Sequence, residues 1–332
     1  MNISLRQLRT FEAVARLRSF SRAAEALHLS QPTVSLQVKQ ITETLGVPLL
    51  DQSGRSLSPT EAGEVVAETA RDAGRLFESM QTRLAELRGL RQGRLKVSVV
   101  TTAKYFVPRL LGPFMREYPG IDVALDVGNR AEIVNRLLRN EDDLYIMGIP
   151  PRGMDIVHVP FADNPIVAIA APDHPLAGRH NVPLSELTAE PFILREVGSG
   201  TRMACEAFMR EQRIKLRVRM ELGSNEAIKQ AVSGGLGLSL LSLHALVAEA
   251  KRGELSVLDV RHLPIRQSWY IVHHASKHLS AVARAFFDYL QAEGVKLREE
   301  LEASGLAARK KRRSQSPGSA VSTPRARQTR GA

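Results

Sequence analysis

The spacing of apolar residues in the first fifty positions predicts two short helices joined by a tight turn. The first is expected to run to Leu27, with Ser21 as its cap and Phe20 packing just before it. The second is expected to start after Ser30 and to stop at Gly46, a residue type that frequently ends helices. Its apolar residues recur at steps of three and four positions: Val34, Val38, Ile41 and Leu45. This pattern is typical of a helix-turn-helix, whose second helix has a polar side free to enter the major groove of DNA.

The flanking segments extend this pair into a larger domain. Residues 5–18 carry apolar positions at helical spacing and predict a helix that packs on the pair. Residues 47–60 predict a β-hairpin that turns at Ser53-Gly54-Arg55, which would form a wing beside the second helix. Arg55 at its tip would reach a phosphate or the minor groove. For the two helices taken alone, a plain αα-hairpin inside a larger helical protein is the alternative.

Residues 1–63 resemble the winged helix-turn-helix of LysR-type transcriptional regulators. The motifs that resemble the family occur in its order and spacing: Leu8-Arg9-Thr10-Phe11, Ser19-Phe20-Ser21-Arg22-Ala23-Ala24, Ser30-Gln31-Pro32-Thr33-Val34-Ser35, Leu45-Gly46 and Thr60-Glu61-Ala62-Gly63. Two positions depart from the common pattern. Leu36 stands where many relatives carry arginine, and Leu50-Asp51-Gln52 replaces a frequent Phe-Glu-Arg.

The helix-turn-helix interpretation assigns a role to each polar position of the second helix. The residues expected to face the bases are Gln31, Pro32, Thr33, Ser35 and Leu36. The residues expected to contact the DNA backbone are Ser21, Lys39 and Arg55. Double-stranded promoter DNA is therefore the first expected partner.

Residues 61–90 predict one long helix. Its apolar positions follow steps close to a heptad: Val66, Thr69, Ala73, Phe77, Met80, Leu84 and Leu87. A helix of this length spans on the order of 40 Å and has little of its own domain against which to bury such a stripe. Pairing with a second copy of the chain is the expected solution, and a helix lying along its own domain is the alternative. The LysR resemblance agrees, because it implies a homodimer or homotetramer.

From Arg94 onward, apolar β-branched runs alternate with helical patterns, ending in a helix near Ala281–Gln291. This alternation predicts two lobes of parallel sheets covered by helices, with chain crossings near Pro160 and Pro264 and a cleft between them. It resembles the type 2 periplasmic-binding-protein fold of LysR effector domains. The fold class expected is thus α+β multidomain. Its parts are a DNA-binding domain (1–60), a linker helix (61–90), lobe 1 (94–160 plus 266–292), lobe 2 (161–265) and a disordered basic tail (303–332).

Charge and cysteine content refine this picture. The net charge of +11 is concentrated in the tail, which has eight basic and no acidic residues from position 303 onward, so basicity does not identify the DNA-binding domain. The tail is either a solvated extension or an arm that adds salt-sensitive attraction to DNA. A single cysteine, Cys205, excludes an intramolecular disulfide and fits the reducing cytoplasm. We expect it to be an ordinary helix residue rather than a redox sensor.

The chain lacks the sequence motifs of common enzymes and membrane proteins. No phosphate-loop, zinc-protease or serine-hydrolase motif occurs, and the nine histidines are scattered without metal-ligand spacing. No signal peptide and no apolar run of 18 residues is present. We therefore expect no catalytic residues, no metal and no cofactor, in a protein that does not enter a membrane.

The expected cleft has three candidate anion sites at strand ends and helix starts, where backbone N–H groups are free. The first is Thr101, Thr102 and Lys104 at the end of a strand. The second comprises Ser199, Gly200, Thr201 and Arg202, with Arg202 offering a fork for a carboxylate or phosphate and Glu196 nearby. The third starts a helix at Asn225. Ordinary helix capping is the alternative for each one, but three such sites on two lobes favour a cleft for a small anionic metabolite.

Later segments resemble the CbbR-type regulators of RuBisCO (Calvin-cycle) operons, up to about Leu290. The matching segments are residues 102–106, 127–130, 140–144, 147–148, 161–165 and 221–230, which add Asn129 and Arg130 to the candidate site. This resemblance implies a non-covalent effector, either a phosphorylated sugar or NADPH, and RNA polymerase as a further partner. A LysR-type regulator of another metabolic operon is the alternative within the family, and the competing class is a cytoplasmic metabolite-binding protein whose N-terminal helices only oligomerise it. A metal- or redox-responsive repressor is a third class, but Cys205 is the only cysteine that could serve as its sensor.

Overall fold

The computed structural model describes residues 3–53, 56–86 and 93–306. The N-terminal domain has three helices and a hairpin: α1 (Leu5–Leu17), α2 (Phe20–Leu27), α3 (Gln31–Leu45), β1 (Leu50–Ser53) and β2 (Ser56–Pro59). Strands β1 and β2 pair in antiparallel fashion, as expected for the wing. The predicted turn residues Gly54 and Arg55 lie outside the described residues.

The helix-turn-helix forms where the sequence predicts it, with one correction. The side chain of Ser30 caps α3 by accepting the amide of Thr33, and Gly46 ends the helix at φ +69°. However, α2 is capped by Ser19, which accepts the amide of Arg22, so Ser21 lies exposed within the first turn. Ser19 and Ser21 are both residue types that cap helices well. The helix begins after Ser19 because Phe20, its first residue, packs against the domain core. That core includes residues with no exposed surface: Phe11, Val14, Val34, Ile41 and Leu49.

Helix α4 (Glu61–Glu86) is the predicted long linker helix. Gly63 near its start lies against the wing, because a Cβ there would stand only 1.9 Å from the carbonyl oxygen of Leu49. Ala67 and Ala70 are buried, whereas the second half of the helix presents apolar side chains to solvent. Phe77, Met80 and Leu84 of the predicted stripe are about half exposed, and Leu87 lies outside the described residues.

Lobe 1 is built on a five-stranded sheet in the order β4-β3-β5-β12-β6. Its strands are β3 (Gly93–Val100), β4 (Ile121–Gly128), β5 (Leu144–Met147), β6 (Ile156–Asp163) and, after lobe 2, β12 (Ser268–His274). Strand β3 runs parallel to β4 and β5, as expected, but β12 runs antiparallel to both β5 and β6. The sheet is therefore mixed rather than parallel, because the chain leaves the lobe through β6 and returns beside it through β12.

This topology also shifts the predicted crossing. Pro160 lies inside β6, and the first crossing follows Asp163. A proline is compatible with this position because β6 is the edge strand of the sheet, where a missing ladder hydrogen bond has little cost. The two crossing segments lie side by side, since the amide of Asn164 donates to the carbonyl of Gln267 and Ile166 bridges to Ile265.

The helices of lobe 1 are α5 (Val107–Glu117), α6 (Arg130–Leu138) and α11 (Ala281–Ala303), with a 3₁₀ turn at Ala103–Tyr105. They cover the sheet around one apolar core that includes Phe106, Phe114, Tyr145 and Phe286. Helix α11 extends twelve residues beyond the predicted end at Gln291. It continues through Gly294 because the backbone of β6 lies directly against that position, where a Cβ would stand 1.7 Å from the carbonyl oxygen of Phe161.

Lobe 2 contains two small sheets joined at one point. Strands β7 (Ile166–Ala170), β10 (Ser239–Ser242) and β11 (Ser256–Val257) pair in antiparallel order, and β8 (Pro191–Arg195) runs parallel to β9 (Arg217–Leu222). Phe192 and Leu238 bridge the two sheets. The helices are α7 (Leu184–Ala189), α8 (Gly200–Glu211), α9 (Asn225–Ser233) and α10 (Val247–Lys251), with a 3₁₀ turn at Leu243–Ala245. Two separate apolar clusters form the interior of this lobe.

Candidate functional site

The outer side of α3 presents the side chains that were predicted to face DNA. Val34, Val38 and Ile41 lie buried on the inner side, so the intervening positions point away from the core. Gln31 and Lys39 are exposed, and Gln31 donates to the hydroxyl of Ser35 at 3.2 Å. The remaining predicted positions are Pro32, exposed; Thr33, partly buried and bonded to Ser30; and Leu36, 55% exposed. Of the backbone contacts predicted from the sequence, Ser21 is exposed on α2 and Arg55 lies outside the described residues.

A cleft that is partly open to solvent lies between the lobes. Six predicted residues line it: Thr101, Thr102, Arg130, Ser199, Gly200 and Thr201. The other lining residues are Val100, Gly148, Ile149, Asn164, Ile166, Arg195, Ala204, Gln267 and Trp269. Lobe 1 thus contributes the end of β3 and the start of α6, and lobe 2 contributes the start of α8.

The start of α8 is the most favourable place for an anion in this cleft. Ser199 is 3% exposed and caps the helix by accepting the amide of Arg202. Gly198 precedes it at φ +92°, a conformation that favours glycine and turns the chain from β8 into the helix. The first backbone N–H groups of a twelve-residue helix are therefore presented to the cleft at the positive end of the helix dipole.

Arg130 reaches this same point from lobe 1. Its Nε donates to the carbonyl of Ile149 at 2.8 Å, and a Cβ on Gly200 would stand 3.4 Å from its Cδ. Within the described residues it has no carboxylate partner, and burial lowers the pKa of its guanidinium below the ordinary value. Its terminal nitrogens are therefore available to a ligand. Asn129, its predicted neighbour, instead caps α6 in a reciprocal pair with Glu132 and does not line the cleft.

Arg195 lies in the cleft wall but is already neutralised. It is 2% exposed, and Glu196 accepts from its Nε and Nη2 at 2.7 and 2.9 Å. It also donates to Asn225 at 2.6 Å and across the lobes to Thr101 at 3.1 Å. Glu196 and Asn225, both predicted ligand contacts, thus lie behind this arginine rather than along the cleft. Their hydrogen bonds hold Arg195 in place between the lobes.

Arg202 differs from its predicted role as a ligand fork. Its Nε donates to Glu206 at 2.8 Å, and its Nη1 donates to the carbonyl of Arg195 at 2.9 Å and to the carboxylate of Glu221. These partners raise the pKa of Arg202, with the Glu206 hydrogen bond first among the causes. The side chain is mostly buried and lies outside the cleft lining, and the two carboxylates from α8 and β9 would compete with a ligand for it. The sequence could not show that Glu221 would lie beside it.

Lys104 forms part of a polar contact between the lobes outside the cleft lining. Its Nζ lies 2.9 Å from the carboxylate of Glu226, to which the hydroxyl of Tyr105 also donates. Burial opposes ionisation of Glu226, but the hydrogen bonds from Tyr105 and Lys104 outweigh it and lower its pKa to about 2. Burial and the same carboxylate raise the pKa of Tyr105. Lys229, 5% exposed, completes the cluster with its Nζ 4.9 Å from the centre of the Tyr105 ring.

Sequence reasoning missed the floor of the cleft, which comes from the crossing segments. Asn164 accepts from the hydroxyl of Ser242 at 2.6 Å, and Gln267 and Trp269 follow the second crossing. Trp269, the single tryptophan of the chain, is 1% exposed and packs against both Phe106 and the buried His244. No local pattern marks these segments in the sequence, because Asn164 and Gln267 come together only when the two crossings lie side by side.

Cys205 is an ordinary interior residue of α8, as expected. It is 1% exposed, and burial raises the pKa of its thiol to about 12. A thiol with such a pKa has almost no thiolate at neutral pH and reacts slowly with oxidants. Within the described segments, no cluster of three or more His, Cys, Asp or Glu side chains could hold a metal ion. Among those same residues, no helix combines the length and apolar content needed to cross a bilayer.

Comparison with protein families identifies both parts of the chain. Residues 5–64 match the bacterial regulatory helix-turn-helix protein model of the lysR family, and residues 88–294 match the LysR substrate binding domain. The HTH-type transcriptional activator CmpR of Synechocystis is 50% identical over 291 residues, which are 88% of this chain and 96% of that protein. The RuBisCO operon transcriptional regulator of Acidithiobacillus ferrooxidans is 48% identical over 289 residues, 87% and 94% of the two chains.

A solved structure is similar in the second part. The regulatory domain of Synechocystis CcmR, in complex with 2-PG, is 52% identical with a TM-score of 0.60 and covers 62% of this chain and all of its own. The identity with full-length relatives, the two matching family models and the helix-turn-helix joined to a two-lobed domain agree. The chain belongs to the LysR family of bacterial regulatory proteins.

Proposed function

We propose that this protein is a transcriptional regulator of a carbon-fixation operon that binds promoter DNA through α3 and senses a small phosphorylated acid in the cleft. One observation gives this proposal its main support. The start of α8 and the side chain of Arg130 meet at one point in a chain that is about half identical to RuBisCO-operon and CmpR-type regulators.

DNA recognition is assigned to the outer side of α3. Gln31, Pro32, Thr33, Ser35 and Leu36 face the bases, and Ser21, Lys39 and Arg55 contact the backbone. The exposed half of α3 supports this assignment, since its inner residues are fixed by the domain core and its outer residues have only local hydrogen bonds. A recognition helix inserts its N-terminal half into the major groove in this geometry.

The effector is a compound with a terminal phosphate, of which 2-phosphoglycolate is the best candidate. The phosphate oxygens would accept from the amides of Gly200 and Thr201 and from Arg130, while Thr101 and Ser199 offer hydroxyl groups. The positive helix end and a partly buried arginine with two free donor nitrogens both favour a dianion over a neutral sugar. The bound 2-PG in the similar regulatory domain of CcmR supports this choice over the larger NADPH.

The working protein is a homodimer or homotetramer in the cytoplasm, where its DNA is found. The exposed apolar side chains of Leu76, Phe77, Met80 and Leu84 on α4 are the surface that a second copy would cover. The proposal assigns no catalytic step and no cofactor, since the effector binds reversibly and RNA polymerase performs the chemistry at the promoter.

The experiment uses the full chain: footprinting detects binding to DNA, and calorimetry measures binding of the effector. DNA around the chain's own gene and a neighbouring RuBisCO-operon promoter is footprinted with and without 2-phosphoglycolate, ribulose bisphosphate or NADPH. A protected two-part site whose length changes with one of these compounds supports both halves of the proposal. Protection that no compound alters retains the regulator and rejects these effectors. No selective protection at moderate salt favours the metabolite-binding alternative.

Arg130→Ala tests the sensing half. Loss of a charge-assisted contact to phosphate should weaken binding of 2-phosphoglycolate about tenfold or more and leave DNA affinity without effector unchanged. Arg116→Ala, which removes an arginine near the end of α5, is the matched control. Glycolate, which lacks the phosphate, should bind neither wild type nor variant measurably. If Arg116→Ala weakens binding of 2-phosphoglycolate as much as Arg130→Ala does, the assignment of Arg130 as a ligand contact is wrong.

A further inference from the structure

We infer that the last turns of α11 form a strap that positions lobe 2 against lobe 1 and so determines the width of the cleft. The helix begins as part of lobe 1, where Val282, Phe286 and Leu290 lie in its apolar core. Leu297 is still buried in that core. One turn later, Leu301 is 6% exposed and belongs to an apolar cluster of lobe 2. A single rigid helix therefore has its two ends anchored in different lobes.

The end of the strap is shaped to keep this anchor. Ser304 caps the helix with its amide bonded to the carbonyl of Glu300, and Gly305 reverses the chain at φ +70°. Leu306 then returns to the same lobe 2 cluster as Leu301. Such an end, with apolar residues on both sides of a left-handed glycine, is a recognised way to fasten a helix C-terminus. The family match to the substrate-binding domain stops at residue 294, before these residues.

The strap reaches the cleft through one short segment of lobe 2. Leu243 and Leu246 share the cluster with Leu301, and Leu243 begins the 3₁₀ turn that contains His244 while Leu246 follows it. The ring of His244 lies 5.0 Å from that of Phe106 and 6.1 Å from Trp269, and its Nε2 is 2.9 Å from the carbonyl oxygen of Asp163. Trp269 lines the cleft. A displacement of the strap would therefore move His244 away from the tryptophan.

The single tryptophan makes this testable without an effector. In the present arrangement Trp269 is almost completely buried, so acrylamide should quench its fluorescence poorly. In Leu301→Asp, a charge replaces the buried anchor, and the lobes lose this link. We expect the quenching constant to rise about twofold or more in the full chain, and the emission maximum to move to longer wavelength. Val295→Asp is the matched control, because Val295 is 51% exposed on the same helix.

A milder variant and a second readout separate positioning from folding. Leu301→Ala should give a smaller change in the same direction at temperatures well below the Tm of either protein, with unchanged far-UV circular dichroism. Affinity for 2-phosphoglycolate should fall several-fold in both Leu301 variants, because fewer molecules have the closed cleft. The affinity measurement rests on the proposed function. If wild type does not bind 2-phosphoglycolate, the quenching measurement still tests whether the end of α11 positions lobe 2 against lobe 1.

Two outcomes would overturn the inference. In the first, both Leu301 variants lower the Tm but leave quenching of Trp269 as in wild type, so that Leu301 serves stability alone. In the second, Val295→Asp changes quenching as much as Leu301→Asp, so that any charge on the helix has the effect.

Discussion

At the scale of single residues, three arginines that look alike in the sequence have different roles in the structure. Arg195 is neutralised by Glu196 and bridges the lobes, Arg202 is held by two carboxylates, and Arg130 keeps donor nitrogens for a ligand. The sequence could predict that arginines would lie near helix starts, because capping is local. It could not predict which remained available, because Thr101, Glu221 and Asn225 reach them from distant parts of the chain.

Leu36 provides a prediction about base recognition. An apolar side chain that is 55% exposed on the outer side of α3 should contact a thymine methyl group in the major groove. Replacing thymine by deoxyuridine at that base pair removes one methyl, worth about 0.8 kcal/mol or roughly a fourfold change in affinity. Leu36→Ala should abolish this difference, as measured by titration of synthetic operators.

The control for Leu36 is Val47→Ala, since Val47 is a 44% exposed apolar residue just beyond α3. This variant should still distinguish thymine from deoxyuridine. If Leu36→Ala discriminates between the two bases as well as wild type does, another residue reads the methyl group.

Glu226 provides a prediction about pH. Its carboxylate accepts from Tyr105 and pairs with Lys104, and its pKa is lowered to about 2 in the folded protein. A lowered folded pKa means that the contribution to stability is complete above about pH 4.5 and is lost as the pH falls toward 2. The Tm difference between wild type and Glu226→Gln should thus be constant from pH 8 to 5 and shrink below pH 4.5. A difference that grows on acidification would contradict this account.

At the scale of elements, the helices of the DNA-binding domain follow from local signals, whereas the length of α11 does not. Ser30 and Gly46 fix the two ends of α3 through hydrogen bonds and backbone angles that depend on neighbouring residues only. The sequence pattern predicts a helix near Ala281–Gln291, whereas α11 continues to Ala303. At Gly294 its backbone packs against β6, a contact between segments more than one hundred residues apart.

Phe77 provides a prediction about assembly. It is 47% exposed in the second half of α4, and the proposed partner helix would bury it. Phe77→Asp would place a charge in that apolar contact and should weaken dimerisation about tenfold or more, measured by sedimentation equilibrium. Val65→Asp on the same helix, where Val65 is 61% exposed, is the matched control. If Phe77→Asp and Val65→Asp dimerise with the same affinity, the dimer contact lies elsewhere.

At the scale of the whole molecule, the order of domains could be predicted from the sequence, but the topology of the lobes could not. Alternating apolar runs predict parallel pairing, which holds for β3, β4 and β5. Strand β12 pairs in antiparallel fashion because the returning chain must enter lobe 1 beside the departing one. Neither the sequence of Ser268–His274 nor that of Ile156–Asp163 contains information about this neighbour, so Asn164, Gln267 and Trp269 were not recognised as cleft residues.

The two crossing segments have a mechanical consequence. They lie side by side, joined by the amide of Asn164 and by the bridge between Ile166 and Ile265. Two adjacent attachments resist sliding and twisting of one lobe past the other, but they permit bending about the single line that passes through both. Bending about that line is therefore the relative motion that the crossing segments allow most freely, and the end of α11 and the Arg195–Thr101 contact limit its range. Opening or closing of the cleft would reach the rest of the protein mainly as a change in this bend.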